Sequence, residues 1–180
     1  MKFKQILPLI IFIQCTLVMT PVEADKHKKA ADLTLLKGHW AGQLQYRDYG
    51  SDRDVAIPME VTINLSPDNQ FIISDIAYTD PGYKVYAHVV TRFDHEKEKV
   101  HEYYFSKGSM TENSYDIDWM QHSEDKWIIE YSKQGQDGGK KADIKIRKTI
   151  SADTYVSQQW VQYEAEEAFI RNQTLLEKTQ

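Results

Sequence analysis

The sequence predicts an all-β protein, an antiparallel up-and-down β-barrel of about nine or ten strands. Two patterns carry that prediction. Runs of roughly 7 to 11 residues alternate apolar and polar side chains with a period of two, and each run ends in a short cluster of turn residues. Most runs keep one face apolar and the other polar, as in sheets wetted on one side only. A meander this long in one small domain must fold into a sandwich or close on itself, and closure removes the exposed edges that invite aggregation.

The chain has 180 residues. Residues 1–24 read as a signal peptide: Lys2 and Lys4 precede an apolar run over residues 6–19, and Val22-Glu23-Ala24 places small residues where cleavage needs them. The run is shorter than a membrane helix, and Pro8 and Gln14 interrupt it. Export to the periplasm or the medium, with no stable membrane insertion after cleavage, is the expectation. Cys15 falls inside that peptide, so the mature chain has no cysteine and its stability must come from its core. Removing Lys2, Lys4 and Glu23 leaves 20 basic against 26 acidic residues, net −6. Such acidity argues against nucleic acid, whose binding rests on Lys and Arg neutralising phosphates.

Residues 25–36 form an N-terminal segment, with a short helix expected over 30–36, and residues 37–180 make one barrel domain. The first strand opens on Gly38-His39-Trp40-Ala41-Gly42. In the second, Val55, Ile57, Met59, Val61, Ile63 and Leu65 occupy every other position, and Ser66-Pro67-Asp68-Asn69 turns the chain. Residues 71–79, 84–93 and 99–106 follow, separated by Asp80-Pro81-Gly82 and the charged tip His95-Glu96-Lys97-Glu98. Tyr115, Ile117 and Trp119 then share one face, as do Trp127, Ile129 and Tyr131, and Ile144, Ile146 and Ile150. The segment Gln134–Lys140 reads as a flexible polar loop. After a strand over 154–162, residues 168–178 fit either a helix or a strand; we read a strand that pairs back as a hairpin, with Phe169, Arg171, Gln173 and Leu175 on one side.

At Gly38-His39-Trp40 the chain resembles the lipocalins and other calycins, whose first strand opens on Gly-x-Trp. The longer Gly38-x-Trp40-x-Gly42 is similar to the start of nitrobindin-like and related lipocalin-like domains of bacteria. The resemblance implies that Trp40 closes the narrow end of the barrel between Gly38 and Gly42. It further implies a basic residue of the last strand over the indole, for which Arg171 is the candidate, worth about 0.5–2 kcal/mol. It also implies an interior cavity for a small hydrophobic molecule.

The inward faces add Tyr46, Tyr115, Trp119, Trp127 and Tyr131 as candidate ligand-binding residues, since their rings bury area while NH and OH groups orient a ligand. Haem is the cofactor that nitrobindin-like kinship would suggest. The sequence departs from that pattern, because its last histidine is His122 and Leu44 stands where the family has a further glycine. His88 or His101 would have to ligate from other strands, and no cofactor is assigned. No metal constellation has a workable spacing. The expected function is therefore an exported binding protein. Two alternatives are kept: an isomerase- or lyase-type barrel enzyme using His101, Glu102 and Tyr104, and a secreted interaction module using the loops Arg47–Arg53 and Gln134–Lys140.

Overall fold

The computed structural model describes residues 33–179. The expected signal peptide, and most of the segment before the barrel, lie outside them. Ten strands run β1 (Gly38–Arg47), β2 (Asp54–Leu65), β3 (Phe71–Asp80), β4 (Tyr83–Asp94), β5 (Lys99–Ser106), β6 (Ser109–His122), β7 (Lys126–Asp137), β8 (Lys140–Ser151), β9 (Thr154–Tyr163) and β10 (Phe169–Thr179). Each pairs antiparallel with its chain neighbour, and β10 closes on β1. The barrel is thus the expected meander, and residues 168–178 are strand. The expected helix is reduced to a single 3₁₀ turn, Leu33–Leu36, among the described residues.

Two other expectations change. Residues 134–140 are not a long loop: β7 and β8 run on to Gly138-Gly139, whose φ angles of 56° and 82° form the left-handed pair that a two-residue hairpin demands. The apolar flanks hid this, because polar residues continue both strands beyond the buried part. The parity of two strands also shifts within their length. A bulge between Ile117 and Trp119 leaves Tyr115 and Ile117 facing in but turns Trp119 outward and Met120 inward. A second bulge between Ile170 and Asn172 puts Asn172, Thr174 and Leu176 inside in place of Gln173 and Leu175. An extra residue in one strand moves every later side chain to the other face, and no local sequence signal marks where it enters.

Trp40, 1% exposed, fills one end of the barrel. Its Nε1–H donates to the carbonyl of Leu36 at 2.8 Å, which ties the 3₁₀ turn under the floor. The cation over its ring is Lys178 and not Arg171. Nζ lies 4.9 Å from the ring centroid and donates to the Leu35 carbonyl at 3.2 Å. The reason is register: Trp40 pairs with Lys178 across the β1–β10 seam. Seven residues of strand, about 23 Å, separate that position from Arg171. Gly42 faces the same seam, and a β-carbon there would meet the Leu175 carbonyl oxygen at 2.0 Å. Only glycine lets β1 and β10 approach this closely. Gly38 enters the strand at φ 135°.

Arg171 instead lies toward the opposite end. The bulge aims it at Asp137, with Nη2 2.7 Å from Oδ2, while Nη1 donates to the Arg47 carbonyl at 3.1 Å. Tyr163 donates to the same carboxylate at 2.6 Å, and Tyr49 donates to the other oxygen. Burial opposes ionisation of Asp137, but these hydrogen bonds and the guanidinium outweigh it and hold the carboxyl below its usual range. Burial and Asp137 push the Tyr49 phenol up to about 12. Tyr163→Phe should cost about 1–2 kcal/mol in urea unfolding, because the carboxylate loses one of its donors and keeps the rest.

Candidate functional site: the barrel interior

The inward side chains of the strands enclose a cavity of about 430 Å³. Its wall has two halves. From β2, β3 and β4 come Met59, Val61, Ile63, Ile72, Ile76 and Val89, a largely aliphatic surface interrupted by Ser74 and Thr91. From β6, β9 and β10 come Thr111, Asn113, Ser157, Gln159, Asn172 and Thr174, a surface of hydroxyls and amides. Trp127 and Phe93 meet edge to face at its deeper end, with ring centroids 5.5 Å apart. Tyr115 and Tyr131 form a second such pair at 5.0 Å.

One charge pair crosses this interior. Glu102 of β5 and Lys148 of β8 approach to 2.7 Å, each side chain 16% exposed, and Tyr131 donates to the same carboxylate oxygen at 3.0 Å. Burial would raise the Glu102 carboxyl. The Lys148 charge and the hydrogen bonds from Lys148 and Tyr131 outweigh it, so Glu102 stays below its usual value. Burial likewise would lower Lys148, yet Glu102 holds the ammonium well above its usual value. Both groups are ionised, and the pair is neutral as a whole. Lys133 shares the inward face of β7 with Tyr131, donating to Asn113 with its Nζ 4.6 Å from the Tyr115 ring centroid; burial lowers its pKa, opposed by Glu102.

The structure divides the sequence-derived candidates. Tyr115, Trp127 and Tyr131 line the cavity. Trp119 does not: the bulge places it on the outer wall, 39% exposed, with the Arg147 guanidinium 5.7 Å from its ring. Tyr46 lies toward the far end of β1, bordering a separate depression with Arg171 and Asn172. Gly38, Trp40 and Gly42 belong to the closed end and its seam, as described, and Arg171 to the other end. Of His101, Glu102 and Tyr104, the last two face in, whereas His101 takes the outer parity opposite Arg92. That trio is not assembled. Asp75 is also outside, 2.6 Å from His88.

Lys148 was not singled out in the sequence, although its signal was present. It follows Ile144 and Ile146 at the same two-residue spacing and precedes Ile150, so it stands on an apolar face in the place of an isoleucine. The polar wall was missed for a related reason: serine, threonine, asparagine and glutamine on a strand look like its wet face. Among the described residues no histidine lines the cavity, and His88 and His101, the two that a histidine-ligated haem would need, both project from the outer face. Among the described residues no three His, Cys, Asp or Glu side chains gather as a metal site.

No family model matches the chain, and no curated protein matches it. Among solved structures, it is similar to the crystal structure of Rv2717c from M. tuberculosis at 13% identity, with a TM-score of 0.59. The match covers 82% of this chain and 95% of that one. At that identity the likeness is one of fold.

Proposed function

We propose that the protein is a lipocalin-like binding protein that holds one small, largely apolar molecule inside its barrel and carries out no chemistry on it. The cavity carries this reading. Its volume of about 430 Å³ falls within the range of small-molecule sites, and an aliphatic half faces a half with hydrogen-bonding groups. A filled barrel would have closed this space with side chains. Glu102, the one carboxylate on the cavity wall, is held ionised by a lysine and a tyrosine, which suits structure and leaves no free base. The basic residues, apolar run and small-residue site at the chain start support export, and the Gly38-x-Trp40-x-Gly42 opening supports kinship with nitrobindin-like domains.

The test is fluorescence titration with the neutral apolar dye N-phenyl-1-naphthylamine. Dye emission should rise and saturate at one dye per chain, with quenching of tryptophan emission. Trp127→Phe should remove most of that quenching, because Trp127 lines the cavity, while Trp119→Phe should leave it nearly intact. Equal loss in both variants, or no saturable binding, would refute the proposal.

A further inference from the structure

Granted that the barrel binds a small molecule at all, one seam of its wall marks where a polar head would lie. β6 and β7 pair only over Asp116–His122 and Trp127–Ser132. Toward the end that holds Asp137 and Arg171 the two strands part. Ser109–Tyr115 stay paired to β5 and Lys133–Asp137 to β8, but no ladder joins one set to the other. The wall is forked here. Thr111, on the β6 arm, lines the cavity and is nonetheless exposed, so the cavity reaches solvent on this side. Unpaired strand edges carry N–H and C=O groups that need water or a polar partner, so the fork suits a polar head and not an apolar tail.

A cation stands at the base of the fork. Lys133 is the first β7 residue beyond the last β6–β7 pair, and it shares the inward face with Tyr131. Its ammonium donates across the fork to Asn113, a cavity-lining residue, and lies 4.6 Å from the Tyr115 ring centroid. Among the described residues it makes no ion pair, and two of its three N–H groups have no protein acceptor. The two charges on the cavity wall, Glu102 and Lys148, cancel each other at 2.7 Å. Lys133 therefore adds one uncompensated positive charge beside them. Burial lowers its pKa, opposed by Glu102, as expected of a cation drawn partly out of water without a counter-charge of its own. The amide nitrogen of Asn113 makes no hydrogen bond to other described residues, which leaves it able to donate to the same head.

The count of charges selects the head. One ammonium balances one negative charge, which a carboxylate supplies. A phosphate monoester, at about −1.5 to −2 near neutral pH, brings more than Lys133 can offset. A cationic head would sit beside Lys133 with no free carboxylate, because Glu102 is held by Lys148 and Tyr131. An uncharged head would leave the ammonium as it is.

We propose that the ligand is an amphiphilic monocarboxylate, its apolar tail against β2–β4 and its carboxylate in the β6–β7 fork, paired with Lys133 and accepting from Asn113.

Displacement of bound N-phenyl-1-naphthylamine by laurate and by 1-dodecanol, at neutral pH and below micelle formation, tests this directly. The two share an alkyl chain length and differ in the charge of the head. Laurate should compete at least tenfold more tightly, about 1.4 kcal/mol. Lys133→Met keeps the stem and removes the charge, so it should weaken laurate by about tenfold and dodecanol by no more than about twofold. Lys133→Arg, which keeps the charge, should retain most of the laurate affinity. Thermal melting checks that both variants are folded, and the laurate–dodecanol comparison on the unaltered protein needs neither. Dodecanol competing equally or better, or laurate unaffected by Lys133→Met, overturns the inference while the cavity stands. Failure of the dye to bind the unaltered protein overturns both this inference and the binding function beneath it.

Discussion

Replacing Glu102 with leucine should destabilise the protein by about 3–5 kcal/mol, measured by urea unfolding at neutral pH. The loss does not come from the strength of the ion pair. Two buried opposite charges roughly offset their own desolvation, but removing one leaves the other alone in a low dielectric. Lys148 would be that group, 2.7 Å from an oxygen that is no longer there, with Tyr131 also losing its acceptor. The double variant Glu102→Leu with Lys148→Met should recover most of the loss, because it removes both charges together. The pH dependence follows from the directions of the two shifts. Glu102 is lowered, so its contribution is complete above its ordinary value of 4.5 and drains as the pH falls through the lower folded value. Lys148 is raised, so its contribution is complete below 10.5 and drains as the pH climbs through the higher folded value. Stability from the pair should therefore be flat between those limits and fall at both extremes. In Glu102→Leu/Lys148→Met both of those falls should shrink.

Trp40→Ala is the second large effect, again about 3–5 kcal/mol. The indole is 1% exposed, stacks edge-on to Tyr155 with centroids 6.2 Å apart, lies under Lys178 and donates to Leu36. Truncation would leave a void at the floor and free the 3₁₀ turn that Trp40 holds. Trp40 does not line the cavity. Dye affinity measured well below the lowered unfolding midpoint should consequently stay within about twofold of the original. A large loss of affinity in a still-folded Trp40→Ala protein would show that the closed end and the site are one unit.

These two positions illustrate what a sequence of this kind discloses. The floor was legible. Glycine at every second position around a tryptophan is unusual at the start of a strand, and the structure gives each glycine its reason: Gly38 by its positive φ, Gly42 by a neighbouring carbonyl that leaves no space for a β-carbon. The barrel itself was legible too, because period-two alternation survives wherever one face is buried. The partner of Trp40 was not. Choosing Lys178 over Arg171 required the register of β10 on β1, which is set by closure of the whole barrel and not by either strand. Trp119 was misplaced for a similar reason, since one bulged residue at position 118 reverses the faces downstream. Tyr115, Trp127 and Tyr131, each placed before any bulge acts on it, were read on their true face. The interior charge pair escaped because Glu102 and Lys148 are 46 residues apart in sequence and meet only across the lumen. Lysine among isoleucines at constant parity is nonetheless the kind of local conflict that marks a buried pair.

The central claim is that the space inside the barrel is a binding site for one molecule. Native mass spectrometry of the protein incubated with N-phenyl-1-naphthylamine tests it most directly, with Ser157→Trp as the comparison, because Ser157 lines the cavity and a bulky ring there would take up part of it. The account predicts a single adduct per chain in the unaltered protein and a clearly weaker one in a folded Ser157→Trp protein. A bare mass in both, or an adduct undiminished by the added ring, would contradict it.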